Sequence, residues 1–319
     1  MENEQKQKRW RYGVNRWIII GLIVLGFVLT AMYPPLRPHI QLPAEELSQQ
    51  PLFGNVYLTN TLVATAIVDI LLILAAIAVW RATKRGSLVP SGISGVMEGL
   101  IEIIHNLTEA TAGKWTKVIF PFFATITLLV LVANWMELIP GVDSIGLFNP
   151  QHLAHPEDCE VNQIIPGVVY VEGDHHCSSA IVPFVRVAST DLNFTIGLAI
   201  ISVFMTQVIG VRALGISYFS KFFNVKTIFS KPFFGLIDFI VGLFETVSEF
   251  SKIISFSFRL FGNIFAGSVL LFVIGTLLSM FQFGVLLMEM FIGLIQAIVF
   301  GMLTMVFMAQ ATQAHGEDH

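Results

Sequence analysis

Apolar residues gather into six runs along the chain, approximately 17–33, 56–80, 118–139, 193–213, 233–281 and 284–310. Each is long enough to cross a hydrocarbon core of about 30 Å as a helix, the first only just. Between the second and third runs the pattern changes. From Ser91 to Gly113, Ile93, Val96, Met97, Leu100, Ile104 and Leu107 recur at helical spacing, opposed by Glu98, Glu102, His105 and Glu109. This predicts an amphipathic helix lying in the membrane interface, and its acidic face suits a protein neighbour better than anionic lipid. The fifth run is too long for one perpendicular crossing. As a continuous helix of about 49 residues it would extend about 70 Å, so it must be strongly tilted. Its first half holds Asp238, Glu245, Glu249 and Lys252, so this half must border water or protein. Either an i, i+3 pair of Glu249 with Lys252 or a polar access path fits these residues.

Composition agrees with the pattern. The chain has 319 residues, of which 55% are hydrophobic and 13% charged, with a mean hydropathy of +0.74. This is an all-α integral membrane protein of about six hydrophobic helices, ending in a long tilted helical hairpin. The net charge of -4 and the lack of a basic cluster outside the connecting loops exclude nucleic acid as a partner. The Lys and Arg residues orient the bundle. They concentrate before run one, between runs two and three, and between runs four and five, while the alternate loops hold only Arg37 and Arg186. Both termini are therefore expected in the cytoplasm and residues 142–190 outside.

Two regions are expected: an N-terminal extension over residues 1–50, and a membrane-embedded ion-translocating domain over 51–319 with an outer loop at 142–190. The extension has a basic start, a short apolar run and a Pro-rich outer linker. Its run ends in Leu29, Thr30, Ala31, Met32 and Tyr33, which favours a signal anchor over a cleaved signal peptide. The outer loop carries Cys159 and Cys177 with His152, His155, His175 and His176. A disulfide and a His/Cys metal site both fit, and on an oxidising side the disulfide is the simpler account. Asp191 opens the fourth run, either as a helix N-cap or as a carboxylate at a channel mouth.

The strongest chemical signal is Arg259, inside the membrane-grade stretch Ser255 to Leu271. A guanidinium cannot be neutralised at accessible pH, so at bilayer depth it needs water or a counter-charge. Gly262 and Gly267 would let another backbone approach, and Asn263 lies one turn on, on the same face. A structural ion pair with Glu289 is the plain alternative to a partner-facing charge. A secondary transporter would carry an internal repeat, which is not found, and an intramembrane enzyme would need a histidine beside its serines, which is lacking.

These residues also carry a resemblance. RLFGNIFAG from Arg259, and LIQAIVFGMLTMVF around Gln296, resemble the rotor-facing stator subunit of F-type ATP synthases, subunit a. NWMELIPG at 134–141, PFVRVASTDLNFT at 183–195 and ETVSEFSK at 245–252 fit the same family, over roughly residues 51–312. The resemblance implies a proton-channel subunit with no cofactor or metal and no catalysis of its own. Its partners would be a ring of c subunits, peripheral-stalk b subunits and the rest of the synthase, in a bacterial plasma membrane. By motif, Arg259 would face the ring carboxylates, with Asn263 beside it and Gln296 hydrogen bonding nearby. Glu289 would serve an outer half-channel and Glu245 an inner one. At 268, where some relatives hold a titratable residue, this chain has Ser268, which leaves Glu289 as the outer ionisable group.

Overall fold

The computed structural model describes residues 44–47, 57–84, 93–139, 146–148, 160–165, 168–172, 181–222, 232–277 and 281–313, together with Trp17, Ile20, Gly21 and Val24. Among the described residues, five helical stretches are long and apolar enough to cross a membrane. The four described residues of the first run are helical and exposed. The rest of that run, Cys159, Cys177 and the four loop histidines lie outside the described residues.

Helix α1 spans Asn60–Lys84. Residues 44–47 of the preceding linker fold back on its start, with Leu47 N donating to the Leu58 carbonyl at 2.7 Å and Asn60 N to the Glu45 carbonyl at 3.1 Å. Part of the expected linker is thus a strap. Thr59 caps the helix, its Oγ1 accepting from Leu62 N at 3.3 Å. At the other end Arg81 and Lys84 occupy the last turn, where exposed carbonyls favour cations.

The amphipathic stretch forms α2, Ile93–Ala112. Ile104 is buried, and Leu100 and Leu107 pack with it against Ile119, Phe123, Met305 and Met308. Glu98, Glu102, His105 and Glu109 are exposed as expected. Val96, expected on the apolar side, is 68% exposed. Gly113, at a φ of +50°, then turns the chain through a short 3-10 helix, Gly113–Trp115, directly into α3, Thr116–Met136. Pro121 falls in the second turn of α3, where its missing N–H removes one intrahelical bond.

Short strands lie between α3 and the next long helix. Gly146–Phe148 (β1) pairs antiparallel with Ile181–Pro183 (β4), and Glu160–Ile165 (β2) with Val168–Glu172 (β3). Helix α4, Leu192–Leu214, follows, and ends at Gly215 with a φ of +64°. Next come the 3-10 segment Gly215–Lys221 and α5, Pro232–Leu277, one continuous helix of 46 residues. Helix α6, Gln282–Ala311, completes the hairpin.

Helices α3, α4, α5 and α6 share one core, built from Ile126, Val130, Leu198, Leu260, Ile264, Ala297 and Phe300 among others. Small residues allow close approach. A side chain at Gly301 would collide with Thr127 Oγ1, and one at Gly293 would press on Asn134. Hydrogen bonds between helices add to the packing, as with Ser202 Oγ and Thr304 Oγ1 at 2.7 Å. Helix α1 sits at the edge, its Ala64 and Val68 on Ala133 and Met136 of α3.

Candidate functional site

Helix α5 carries the site, and α6 gives it a scale. Gly267 faces Glu289, Phe256 packs on Phe300, and the Lys252 ammonium lies over the Phe307 ring at 4.4 Å. The two helices are therefore antiparallel. The same register sets Arg259 at the level of Gln296 and Ala297 of α6. Gln296, which the sequence could only link to Arg259 by motif, is half-buried at the arginine's own depth.

Arg259 is exposed, as are Ser248, Ser251, Ser255, Asn263 and Ala266. At steps of three and four residues these form one open stripe of small or polar side chains on α5. The only hydrogen bond of the arginine among the described residues is a long one, from Nη2 to Ser255 Oγ at 3.4 Å. The Arg259–Glu289 pair is not formed. Glu289 points the other way, is 3% exposed, and neither carboxylate oxygen has a hydrogen-bond partner among the described residues. The two glycines also part company: a Cβ at Gly262 would meet nothing within 4 Å among the described residues, whereas one at Gly267 would collide with the Glu289 carboxylate. Gly262 is open to a partner, and Gly267 makes the room that Glu289 occupies.

Gly267 is eight residues beyond Arg259, so the Glu289 carboxylate lies about 12 Å along α5 from the arginine's level. A second carboxylate joins it there. Glu137, at the C-terminal cap of α3 and buried, accepts a hydrogen bond from Ser268 Oγ. One turn back, Asn134 Oδ1 accepts from Ser189 Oγ at 2.6 Å, and Asn134 Nδ2 donates to the Gly293 carbonyl at 3.1 Å. Sequence reasoning had Glu137 and Asn134 inside the NWMELIPG stretch without a role. The available signal was two polar residues at i, i+3 near the end of an apolar helix, but their partners come from helices far away in the chain.

Asp191 continues the polar band. Its Oδ1 accepts from Asn193 N at 2.9 Å and its Oδ2 from Thr61 Oγ1 at 2.9 Å, so it is the N-cap of α4 and also ties α4 to α1. It borders an open cavity of about 550 Å³ lined by Tyr57, Thr59, Thr61, Thr65 and Asn193 as well.

The opposite end of α5 holds the other carboxylates. Glu249 is buried, and its Oε1 accepts from Lys252 Nζ at 2.7 Å. Its Oε2 accepts from Gln207 Nε2 at 3.0 Å, and Gln207 Oε1 accepts from Tyr218 Oη at 2.6 Å. The i, i+3 pair is thus real, and it belongs to a network joining α4, α5 and the 3-10 segment. Glu245, half-buried, is one turn earlier on the same face. By helical rise Glu249 and Glu245 are about 15 and 21 Å from the arginine's level, opposite to Glu289. The side chain of Asp238 lies outside the described residues.

A family model, ATP synthase A chain, matches residues 62–309. This chain belongs to that family. It is 28% identical over 250 residues to ATP synthase subunit a of Teredinibacter turnerae, covering 74% of this chain and 72% of that one. It is 27% identical over 276 residues to ATP synthase subunit a 2 of Syntrophotalea carbinolica, covering 86% and 92%. With ATP synthase subunit a of Legionella pneumophila subsp. pneumophila the identity is 25% over 267 residues, covering 82% and 90%. The ATP synthase A chain match includes Arg259, Asn263, Glu289 and Gln296 as well as Glu245 and Glu249.

Proposed function

We propose that this chain is the proton-channel stator of a rotary F-type ATP synthase, in which Arg259 faces the carboxylates of a turning c-subunit ring between two offset half-channels. At the coarser level, the family makes it a multi-pass, proton-translocating membrane subunit of that complex, with ATP chemistry carried elsewhere. The observation that supports the finer reading is the order of groups along α5. Carboxylates at Glu289 and Glu137 lie to one side of an exposed guanidinium that forms no ion pair among the described residues, and carboxylates at Glu249 and Glu245 to the other.

Proton transfer through a membrane needs a polar path from each side and a barrier between them. Arg259 suits the barrier, because its charge repels a bare proton and favours the ionised form of any carboxylate that passes. The outer path would start at the cavity beside Asp191 and pass Ser189 and Asn134 to Glu137, Ser268 and Glu289. From Glu289 a proton would reach the ring, ride around, and leave by Glu245. Asn263 and Gln296, at the level of the arginine, would hold the polar surface that the ring carboxylate crosses. Peripheral-stalk b subunits, a bacterial plasma membrane, cytoplasmic termini and the division at residue 50 into extension and translocating domain complete the proposal.

The test is Arg259→Ala in the intact complex, with ATP-driven acidification of inverted vesicles as readout. Pumping should be abolished while the complex stays assembled. Arg259→Lys should restore little, since an ammonium is a hydrated point charge without the planar fork. Coupled pumping retained in the alanine variant would overturn the reading.

A further inference from the structure

We infer that the exposed face of α1 around Asp69 docks a membrane-spanning helix of a partner subunit, one that carries a lysine or arginine at mid-bilayer depth. Asp69 lies nine residues from Asn60 and twelve from Arg81, so about 14 and 18 Å along the helix from the two ends of the span. Its side chain is exposed. The residues that α1 buries are Asn60, Thr61, Ala64 and Val68, all before Asp69; from Asp69 onward no described side chain of this helix is buried by the rest of the chain. Lipid covers the exposed Ile70, Ile73 and Leu74 without difficulty. It does not cover a carboxylate, and ionisable groups at this depth face protein or water and pair.

The described residues of this chain do not provide the pair. Among the described residues Asp69 makes no ion pair. The helix packs mainly on α3, on α2 and on the turn Ala188–Thr190, rather than on α5, which carries Arg259. Arg81 and Lys84 are too far along α1, and Lys84 Nζ sits over the Trp80 ring at 3.9 Å. The first apolar run, residues 17–33, contains no lysine or arginine, the nearest being Arg16 at its start. On this inference the counter-charge comes from another chain. The surface is shaped to admit one: Ala66 and Ala76, both exposed, lie three residues before and seven after Asp69, so a second helix can approach closely along this stripe.

The experiment uses the intact complex, with a photoactivatable benzoylphenylalanine at Ile73, one turn from an unaltered Asp69. The expected product is a crosslink to one membrane-spanning subunit whose apolar segment holds a lysine or arginine. Asp69→Lys should reduce recovery of that subunit with the complex in mild detergent at least tenfold, Asp69→Asn less, and Asp69→Lys combined with an aspartate at the partner's cation should restore it. Complexes that do assemble should pump at the wild-type rate, so failure here is distinct from failure of the Arg259 reading. Crosslinks only to lipid or to a second copy of this chain would overturn the inference. Wild-type recovery in Asp69→Leu, or pumping lost while the partner is retained, would do the same.

Discussion

Glu289 and Gly267 form the tightest local fit in the site. Both carboxylate oxygens are buried without a hydrogen-bond partner among the described residues, in space left by a missing side chain. A group so placed is expensive to keep unless it is used, because desolvating an unpaired carboxylate is unfavourable. Glu289→Gln preserves shape but not proton exchange, and is expected to lower both passive proton conductance and ATP-driven pumping at least tenfold. A purely structural Glu289 would give the reverse sign in conductance, an increased leak. Gly267→Ala places a methyl group where Glu289 Oε2 lies, and should destabilise the subunit by about 1–3 kcal/mol in detergent unfolding as well as impair pumping. The methyl group of Gly262→Ala meets nothing within 4 Å among the described residues. It should leave the subunit's melting temperature unchanged and, if that face contacts the ring, still reduce coupled pumping.

At the scale of elements, the continuous α5 raises the question of what holds so long a helix in place. Hydrophobic packing secures its middle through Phe256, Leu260 and Ile264. Its N-terminal half is held by the chain of hydrogen bonds from Lys252 through Glu249 and Gln207 to Tyr218. Gly210 permits this arrangement, since a side chain there would collide with the Tyr218 ring. Removing one member of this partly buried pair strands the other charge. Lys252→Met alone should therefore cost about 1–3 kcal/mol, less than for a fully buried pair, while Lys252→Met with Glu249→Leu should recover most of the loss, because well-packed apolar replacements of both partners are often neutral. A double-mutant cycle on melting of the purified subunit measures this, and additive effects would argue against a coupled pair. Tyr218→Phe should cost about 1 kcal/mol, the net worth of one hydrogen bond.

Over the whole molecule, the prediction is topological. The asymmetric distribution of loop cations puts 142–190 outside and both termini inside. An impermeant thiol reagent should label the reduced loop cysteines in intact cells, and labelling only after lysis would reverse the orientation. Non-reduced peptide mapping should recover Cys159 joined to Cys177, whereas two free thiols or a stoichiometric zinc would exclude the disulfide.

Much of this architecture was legible before any coordinates. Run length and hydropathy depend only on how residues partition between water and hydrocarbon, so the helices, the amphipathic α2 and the long α5 could be read from the sequence. Arg259 could be read too, since a permanent charge in an apolar run stands out against any background. Neighbours could not. Whether Glu289 met Arg259 depended on the register of α5 against α6, and packing set the carboxylate against Gly267 instead. Glu137 and Asn134 gained their place from contacts with Ser268, Ser189 and Gly293, between 55 and 159 residues away. Periodicity reports which face of a helix is apolar, but not which helix will cover it. The sequence by itself determined the kinds of element and where charge sits along each one; only tertiary packing decided which charges are buried, which are paired and which stay open to a partner.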